Sequence, residues 1–274
     1  MTIENRHLQK DSIESPELYR AIIKIAPRRI DAAVFSQRID GSLTLTGDNT
    51  SGTLKQYEDF IYENPLLLTP LRKTDVIIQT SRYLLIPSGI PSDLYTTLIG
   101  EAFPESDEKT VPVVNALYGT EMSILFAVEE NLFRFVNRAF SNPGIYSHLY
   151  TLLRFFSDRN RFGNGTRLFA NLRPDSLDIA AVINGEIRFA NTFSFKATED
   201  AVYYILAVRQ TLGLTSDADS IMLCGDSAIK RKLIPELREF IPNVIPAIFP
   251  ADLFRTGKEA IYADFDYIIL PLCE

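Results

Sequence analysis

A nine-residue pattern occurs twice in the chain, and the distance between its copies limits what the chain can fold into. Ile25-Ala26-Pro27-Arg28-Arg29-Ile30-Asp31-Ala32-Ala33 returns as Leu172-Arg173-Pro174-Asp175-Ser176-Leu177-Asp178-Ile179-Ala180. Pro27 and Pro174, Asp31 and Asp178, and Ala33 and Ala180 each lie 147 residues apart. Each copy continues into a strand-like segment and a Gly turn (Asp40-Gly41, Asn184-Gly185). A further strand-like segment comes next (Leu43–Thr46, Ile187–Phe193), then a Thr-led amphipathic stretch (Thr53–Tyr62, Thr198–Thr211). Solenoid repeats run about 20–50 residues. A period three times longer predicts two duplicated domains, for which 274 residues leave room.

The stretch Arg167–Phe193 carries the pattern best and reads as a three-stranded meander: Arg167–Leu172, Leu177–Ile183 and Glu186–Phe195. A helix over Thr198–Leu212 follows, led by a Thr198 cap and an acidic first turn, and Gly213 stops it. Ser220–Cys224 is apolar throughout, as a parallel strand between helices is. Gly225-Asp226-Ser227 turns it into a helix over Ala228–Phe240, where Pro235 predicts a kink or split. Val244–Ile248 and Tyr262–Leu270 read as strands. The first copy reads alike. Strands over Leu18–Ala26, Ile30–Gln37 and Ser42–Thr46 precede a helix over Thr53–Glu63 capped by Thr53. Short strands Asp75–Gln79 and Tyr83–Ile86 and a helix over Ser92–Phe103 follow.

Between the copies, Asn115–Tyr118 and Ser123–Val128 predict a hairpin turned at Gly119, and Glu129–Phe140 and Ile145–Asp158 predict helices. The expected domains are 1–120, with a polar arm over 1–17, and 121–255, with inserted helices over 129–158. Residues 256–274 form a C-terminal segment able to return to the first domain.

Composition removes several function classes. Hydrophobic residues make up 46% and charged residues 23%, enough for a real core. A net charge of −7 disfavours a nucleic-acid partner, whose phosphates require a basic face. Charges break the apolar runs well short of the ~20 residues a membrane span needs. The N-terminal arm lacks a signal-peptide apolar core, so the expectation is a cytoplasmic protein. Cys224 and Cys273 form no CxxC, which leaves neither a disulfide framework nor structural zinc supported.

Two copies of a meander followed by helix, strand and helix resemble the duplicated ribonuclease H-like fold of actin, the Hsp70 chaperones, sugar kinases and the bacterial cell-division and pilus-assembly ATPases. The segment Arg167–Phe240 carries the resemblance, and Met222-Leu223-Cys224-Gly225-Asp226-Ser227 looks like the adenosine turn of that fold. The whole chain is similar to an uncharacterised bacterial family of unknown function with the actin-like ATPase fold. The resemblance implies an α/β protein of two ribonuclease H-like domains, with mixed sheets flanked by helices and a cleft between them.

The departures from that superfamily carry the functional reading. Each first turn there holds an aspartate, a glycine and a hydroxyl. Here the aspartate positions fall on Lys24 and Asn171, and the glycine positions on Ala26 and Arg173. Pro27 and Pro174 each remove an N–H from the turn that would cradle phosphate. Gly225 stands alone where a glycine pair is usual. No carboxylate remains at either turn to anchor magnesium, and the chain reads as a pseudo-ATPase. The candidate nucleotide or anion cleft comprises Lys24, Arg28, Arg29, Asn171, Arg173, Gly225, Asp226 and Ser227. Arg28 and Asp175 occupy one slot in the two copies and are the candidate salt bridge across it.

Other chemistry is sparser. His7 and His148 belong to no metal-ligand spacing, and no metal site is expected. Asp31 and Asp178 recur at equivalent strand positions, which favours a repeated structural role over a two-metal nuclease. Arg154, Arg159, Arg161 and Arg167 form the candidate partner patch, and Phe133, Tyr146, Tyr150 and Phe156 are the aromatics for an exposed surface. Glu129-Glu130 reads as a helix start, and Gly163-Asn164-Gly165 as a turn. The leading reading is a non-catalytic actin-like scaffold or adaptor for an unidentified protein partner, with no resident cofactor. Homo-oligomers are compatible with it. A nucleotide-binding protein or weak ATPase, with ATP as cofactor, is the alternative, and a small-molecule kinase the second.

Overall fold

The structure, a computed structural model, describes residues 8, 13–36, 43–104, 109–160, 166–214, 220–247 and 263–273, with the backbone alone at 159, 160 and 166. The described residues form two compact units. Of these residues, those up to Ala116, Ser123–Tyr150 and Ala263 belong to the first, and Leu117–Met122, those from Thr151 to Ala247 and Asp264–Cys273 to the second. Ser123–Tyr150, expected with the second domain, thus groups with the first, and Asp264–Cys273 groups with the second.

In the first unit, β1 (Arg20–Ala26), β2 (Arg29–Phe35) and β3 (Leu43–Asn49) form an antiparallel meander, followed by α1 (Leu54–Glu63) and β4 (Lys73–Ile78). Then come β5 (Tyr83–Pro87), α2 (Tyr95–Ala102), β6 (Thr110–Ala116), β7 (Met122–Glu129), α3 (Glu130–Ala139) and β8 (Gly144–Ser147). The main sheet has the order β3-β2-β1-β4-β8, with β4 parallel to β1 and to β8. β5, β7 and β6 make a separate three-stranded sheet, with β7 in the middle. The chain leaves through α4 (His148–Asn160).

The second unit repeats the scheme with β9 (Thr166–Leu172), β10 (Ser176–Ile183), β11 (Glu186–Ser194), α5 (Thr198–Thr211) and β12 (Ser220–Gly225). After them come α6 (Ser227–Arg238), β13 (Asn243–Pro246) and α7 (Phe265–Ile268). Its sheet order, β11-β10-β9-β12-β13, matches that of the first unit strand for strand, including the direction of every pairing. β4 and β12 begin and end 147 residues apart, so the spacing read from the meander persists through the first crossover.

The periodicities explain the packing. Leu168, Ala170 and Leu172 alternate inward from β9, and Leu177, Ile179 and Ala181 from β10. They meet Ala201, Val202, Ile205 and Val208 of α5, which recur at helical spacing. Between β10 and β11, Asn184 and Gly185 both adopt positive φ, 53° and 81°, the two-residue turn whose twist suits a hairpin. The matching turn expected at Asp40-Gly41 lies outside the described residues.

Four local expectations are corrected. Ile145–Ser147 belongs to edge strand β8 rather than to the following helix, because Asn115 draws it in. The Asn115 amide donates to the Ile145 carbonyl at 2.9 Å and accepts the Ser147 N–H at 2.8 Å. The C-terminal apolar run is helical at Phe265–Ile268 and Leu270–Leu272, not extended. Residues Phe265–Leu270 are all buried, and an apolar run closed in on every side carries no period to separate strand from helix. α6 is not split at Pro235; Leu233 and Leu237, both fully buried, pin it on either side. Thr53 stands at the N-cap of α1 without a capping bond from its hydroxyl, and the N-cap of α5 is Ala197 rather than Thr198. The Thr53 hydroxyl donates to Gln56 at 3.0 Å, and the α5 start is held by Asp200, which accepts the Lys196 and Ala197 N–H groups.

Candidate functional site

The turn after β9 is closed by its own side chains. The Arg173 N–H donates to the Ser176 carbonyl at 2.8 Å, which completes the reversal into β10. The Arg173 side chain turns inward and is 5% exposed. Its Nη2 donates to Asp178 Oδ1 at 2.7 Å, its Nη1 to Asp178 Oδ2, and its Nε to Ser176 Oγ at 3.1 Å. Asp266 of α7 lies 4.0 Å from the same guanidinium. Asp178 also accepts from Thr192 Oγ1 at 2.8 Å and Asn171 Nδ2 at 3.3 Å. Burial opposes the charge on Arg173, but the Asp178 and Asp266 carboxylates outweigh it and hold the guanidinium above its ordinary value. The guanidinium therefore stays charged at every accessible pH.

The expected adenosine turn is likewise committed to the fold. Gly225 has φ 86°, and a Cβ there would stand 2.0 Å from the Leu172 carbonyl oxygen, so only glycine lets β12 close onto β9. The Asp226 N–H donates to that carbonyl at 2.8 Å. Its carboxylate accepts from the Ala228 and Ile229 N–H groups, both at 2.8 Å, and so occupies the N-terminus of α6. Ser227 opens the helix, and its carbonyl accepts from Arg231 Nε at 3.3 Å. Cys224 is fully buried, which pushes its thiol well up from the ordinary value and leaves it a packing group.

In the first unit Lys24 is 1% exposed on β1, register partner of Asp31. Asp31 takes Arg29 Nε on both oxygens at 2.8 Å. Arg28 is exposed in the turn, and its carbonyl accepts the Thr50 N–H at 3.0 Å. Asp175 is exposed in the second unit, where its carboxylate accepts from Ser176 Oγ at 3.1 Å. The repeated aspartates thus share a structural role: each is buried and paired with an arginine.

The first unit also has a cleft of about 890 Å³, lined among others by Ile25, Ala26 and Pro27, the start of the repeated pattern. The C-terminal ends of β1 and β4 line it, at Ile25 and Ile78, where open α/β sheets take their ligands. Arg82, Lys109 and Arg134 line it together with Glu129 and Glu130. Glu129 accepts from the Asn131 and Leu132 N–H groups at 2.9 and 3.1 Å and caps α3. Glu130 pairs with Arg134 at 2.6 Å.

The candidate partner patch does not stand out as one free cationic surface. Arg154 donates to the Tyr118 carbonyl and pairs with Asp158 at 3.2 Å, its side chain 12% exposed. Arg167 is half-buried on β9, only the backbone of Arg159 is described, and Arg161 lies outside the described residues, as do His7 and Gly163-Asn164-Gly165. Of the aromatics expected at a surface, Phe156 and Tyr150 are buried, Phe156 stacked on Phe169 at 3.9 Å. Among the described residues the exposed aromatics are Tyr118, Tyr203, Tyr62 and Phe240, at 71%, 67%, 55% and 54%. His148 is fully buried, with its ring edge-on to Tyr83 at 5.9 Å. Among the described residues no group of three His, Cys, Asp or Glu side chains is placed to hold a metal ion, and no helix is long and apolar enough to cross a membrane.

Two sheets of identical order define the actin-like ATPase fold, and solved structures agree. A protein of that fold and unknown function from Bacteroides thetaiotaomicron superposes with a TM-score of 0.77 at 22% identity, over 87% of this chain and 95% of that one. A PilM–PilN type IV pilus biogenesis complex gives 0.56 at 14% identity, over 94% and 98%. No curated protein matches the chain. Residues 8–244 match the family described as protein of unknown function (DUF3822), and the chain belongs to that family. A magnesium nucleotide does not fit the second-unit turn, because Arg173 fills it and its nearest carboxylates are spent on that arginine.

Proposed function

We propose that the protein is a non-catalytic member of the actin-like fold that serves as a scaffold or adaptor for a protein partner. The observation that carries this reading is the Arg173–Asp178 lock. A turn that in the superfamily receives phosphate holds instead a buried guanidinium satisfied by two oxygens of its own chain. The similar pilus complex is, by its name, an assembly of two proteins, and the partner reading extends that use of the fold to this chain. A nucleotide-binding protein or weak ATPase is the second reading, favoured by the cleft of the first unit. A kinase has less support, since Glu129 and Glu130 are engaged and no other carboxylate lines the cleft among the described residues.

Thermal unfolding with millimolar ATP, in magnesium and in EDTA, separates these readings. A bound ligand at about 100 times its dissociation constant stabilises by ~2.7 kcal/mol, about 5–11 °C for a chain of this size. The scaffold reading expects no magnesium-dependent shift. A shift of that size in magnesium, abolished by EDTA, overturns it.

A further inference from the structure

We propose that the outer edge of β11 is a self-association surface, where a second copy of this chain adds its own β11 antiparallel about a two-fold axis at Asn191. The inference does not depend on the scaffold reading. Among the described residues β11 ends the second-unit sheet. A sheet edge presents its outward backbone groups to any strand that can pair with them.

The hydrogen bonds identify those groups. The Phe195 N–H donates to the Asp175 carbonyl at 3.0 Å. Bonding alternates along an antiparallel ladder, so over 189–195 the odd-numbered residues turn their backbone to β10 and the even-numbered ones turn it outward. The Thr192 N–H accordingly donates to the side chain beside it, Asn191 Oδ1, at 2.9 Å. That bond is local, and an added strand replaces it with a ladder bond.

The side chains select the occupant. Phe189-Ala190-Asn191-Thr192-Phe193 reads nearly alike in both directions. An antiparallel copy centred on Asn191 sets Phe189 against the copy's Phe193, Ala190 against its Thr192, and Asn191 against its own equivalent. Ala190 and Thr192 then exchange backbone bonds, while the phenylalanine and asparagine pairs are the close, non-hydrogen-bonded ones. Two asparagine amides satisfy each other, because each both donates and accepts. Phe189 and Phe193 are half-buried. Their strip continues to Tyr204, stacked on Phe193 at 4.7 Å, and to Tyr203 beside it, which is 67% exposed.

Charge favours this strand over its counterpart. The β10 ladder shifts register beyond Phe189, so the regular edge runs over 189–195, and no charged residue lies in it, although the chain carries −7. In the first unit Gly47 faces Asp31 as Thr192 faces Asp178, so Phe189 and Phe193 match Thr44 and Asp48 of β3. A charge on an edge is one of the devices that keep strands apart, and β11 lacks it.

The test is sedimentation of the full chain over a range of concentrations. The parent is expected to form a dimer whose share rises with concentration. Asn191 is exposed, so Asn191→Lys and Asn191→Asp keep the fold. Each variant alone opposes like charges on the axis and weakens self-association by about tenfold or more. An equimolar mixture of the two opposes unlike charges and restores the dimer. A parent chain that stays monomeric, or a single variant that dimerises as the parent does, overturns the proposal. A mixture that stays monomeric overturns the register about Asn191.

Discussion

The two halves of the molecule solve one problem differently. Each sheet places an aspartate on its second strand, Asp31 and Asp178, at positions related by the same spacing. Each must be paired, because an isolated buried carboxylate is costly. In the second unit the partner is Arg173, which reaches in from the turn and is 5% exposed. In the first it is Arg29, two residues away on the same strand, its side chain 28% exposed. Across the hairpin, Asp178 faces Thr192, whose hydroxyl donates to it, whereas Asp31 faces Gly47. A repeated fold therefore fixes where a buried charge sits and leaves open which neighbour neutralises it. The slot of Arg173 is free to carry Ala26 in the other copy, because Arg29 already does the work.

The largest expected effect tests that asymmetry. Arg173→Met leaves Asp178 and Asp266 in the core without their cation. Breaking a buried ion pair costs about 3–5 kcal/mol, or roughly 6–20 °C in melting temperature. Arg29→Met exposes Asp31 to water more readily, and the loss of its charged hydrogen bonds costs about 1.5–3 kcal/mol. Equal losses in the two variants, measured by denaturant unfolding, would break the comparison.

A smaller pair sharpens it. Thr192→Val removes one donor from Asp178 while Arg173 keeps both oxygens bonded, so the expected loss is about 1.5 kcal/mol, the low end for a bond to a charged group. Gly47→Ala approaches the same place from the other copy. Its Cβ would stand 2.1 Å from Asp31 Oδ1 and 2.7 Å from Arg29 Nη2. Both are ends of side chains and can retreat, so about 1 kcal/mol is expected. A loss in Gly47→Ala above that of Thr192→Val would mean that the Arg29–Asp31 pair is the more rigid one.

Much of the architecture was legible in the residues, and the reasons it was are local. Pro27 and Pro174 mark turns whatever surrounds them, and Asn184-Gly185 specifies its own hairpin. The meander, the crossover helices and β12 follow from period alone. Strand β8 did not, because four residues are too few to show a period and what draws them into the sheet is Asn115, some thirty residues earlier. The Phe265–Leu270 run misled because it is buried all round. The site was harder to read for a related reason. Arg173 reads as a cation at a cleft until the hairpin register brings Asp178 back beside it. A signal was present, since Asp178 pairs with Asn171, two residues before Arg173. Of the first-unit cleft only the Ile25-Ala26-Pro27 turn was marked in the sequence, because Ile78, Arg82, Lys109 and Glu129 come from other segments.

The smallest expected effect concerns pH and again separates the halves. Asp75 on β4 corresponds by spacing to Met222 on β12, so only the first unit has a carboxylate there. Asp75 is fully buried, paired with Arg20 at 2.6 Å and Lys73 at 3.1 Å. Burial raises its affinity for a proton more than the Arg20 hydrogen bond and the Lys73 charge lower it, so its pKa lies above the ordinary 3.8. The folded chain then holds this proton more tightly than the unfolded chain. The stability it contributes is fully present below the unfolded value and is lost as pH rises through the folded one. Asp75→Asn removes that dependence, so its unfolding free energy, followed upward from the ordinary carboxylate value, should fall less steeply than that of the parent chain. Met222→Leu, at the matching place in the other sheet, should leave the slope unchanged. If Asp75→Asn keeps the parent slope, the Arg20 and Lys73 charges cancel the effect of burial, and the two halves differ in composition at this slot without differing in their response to pH.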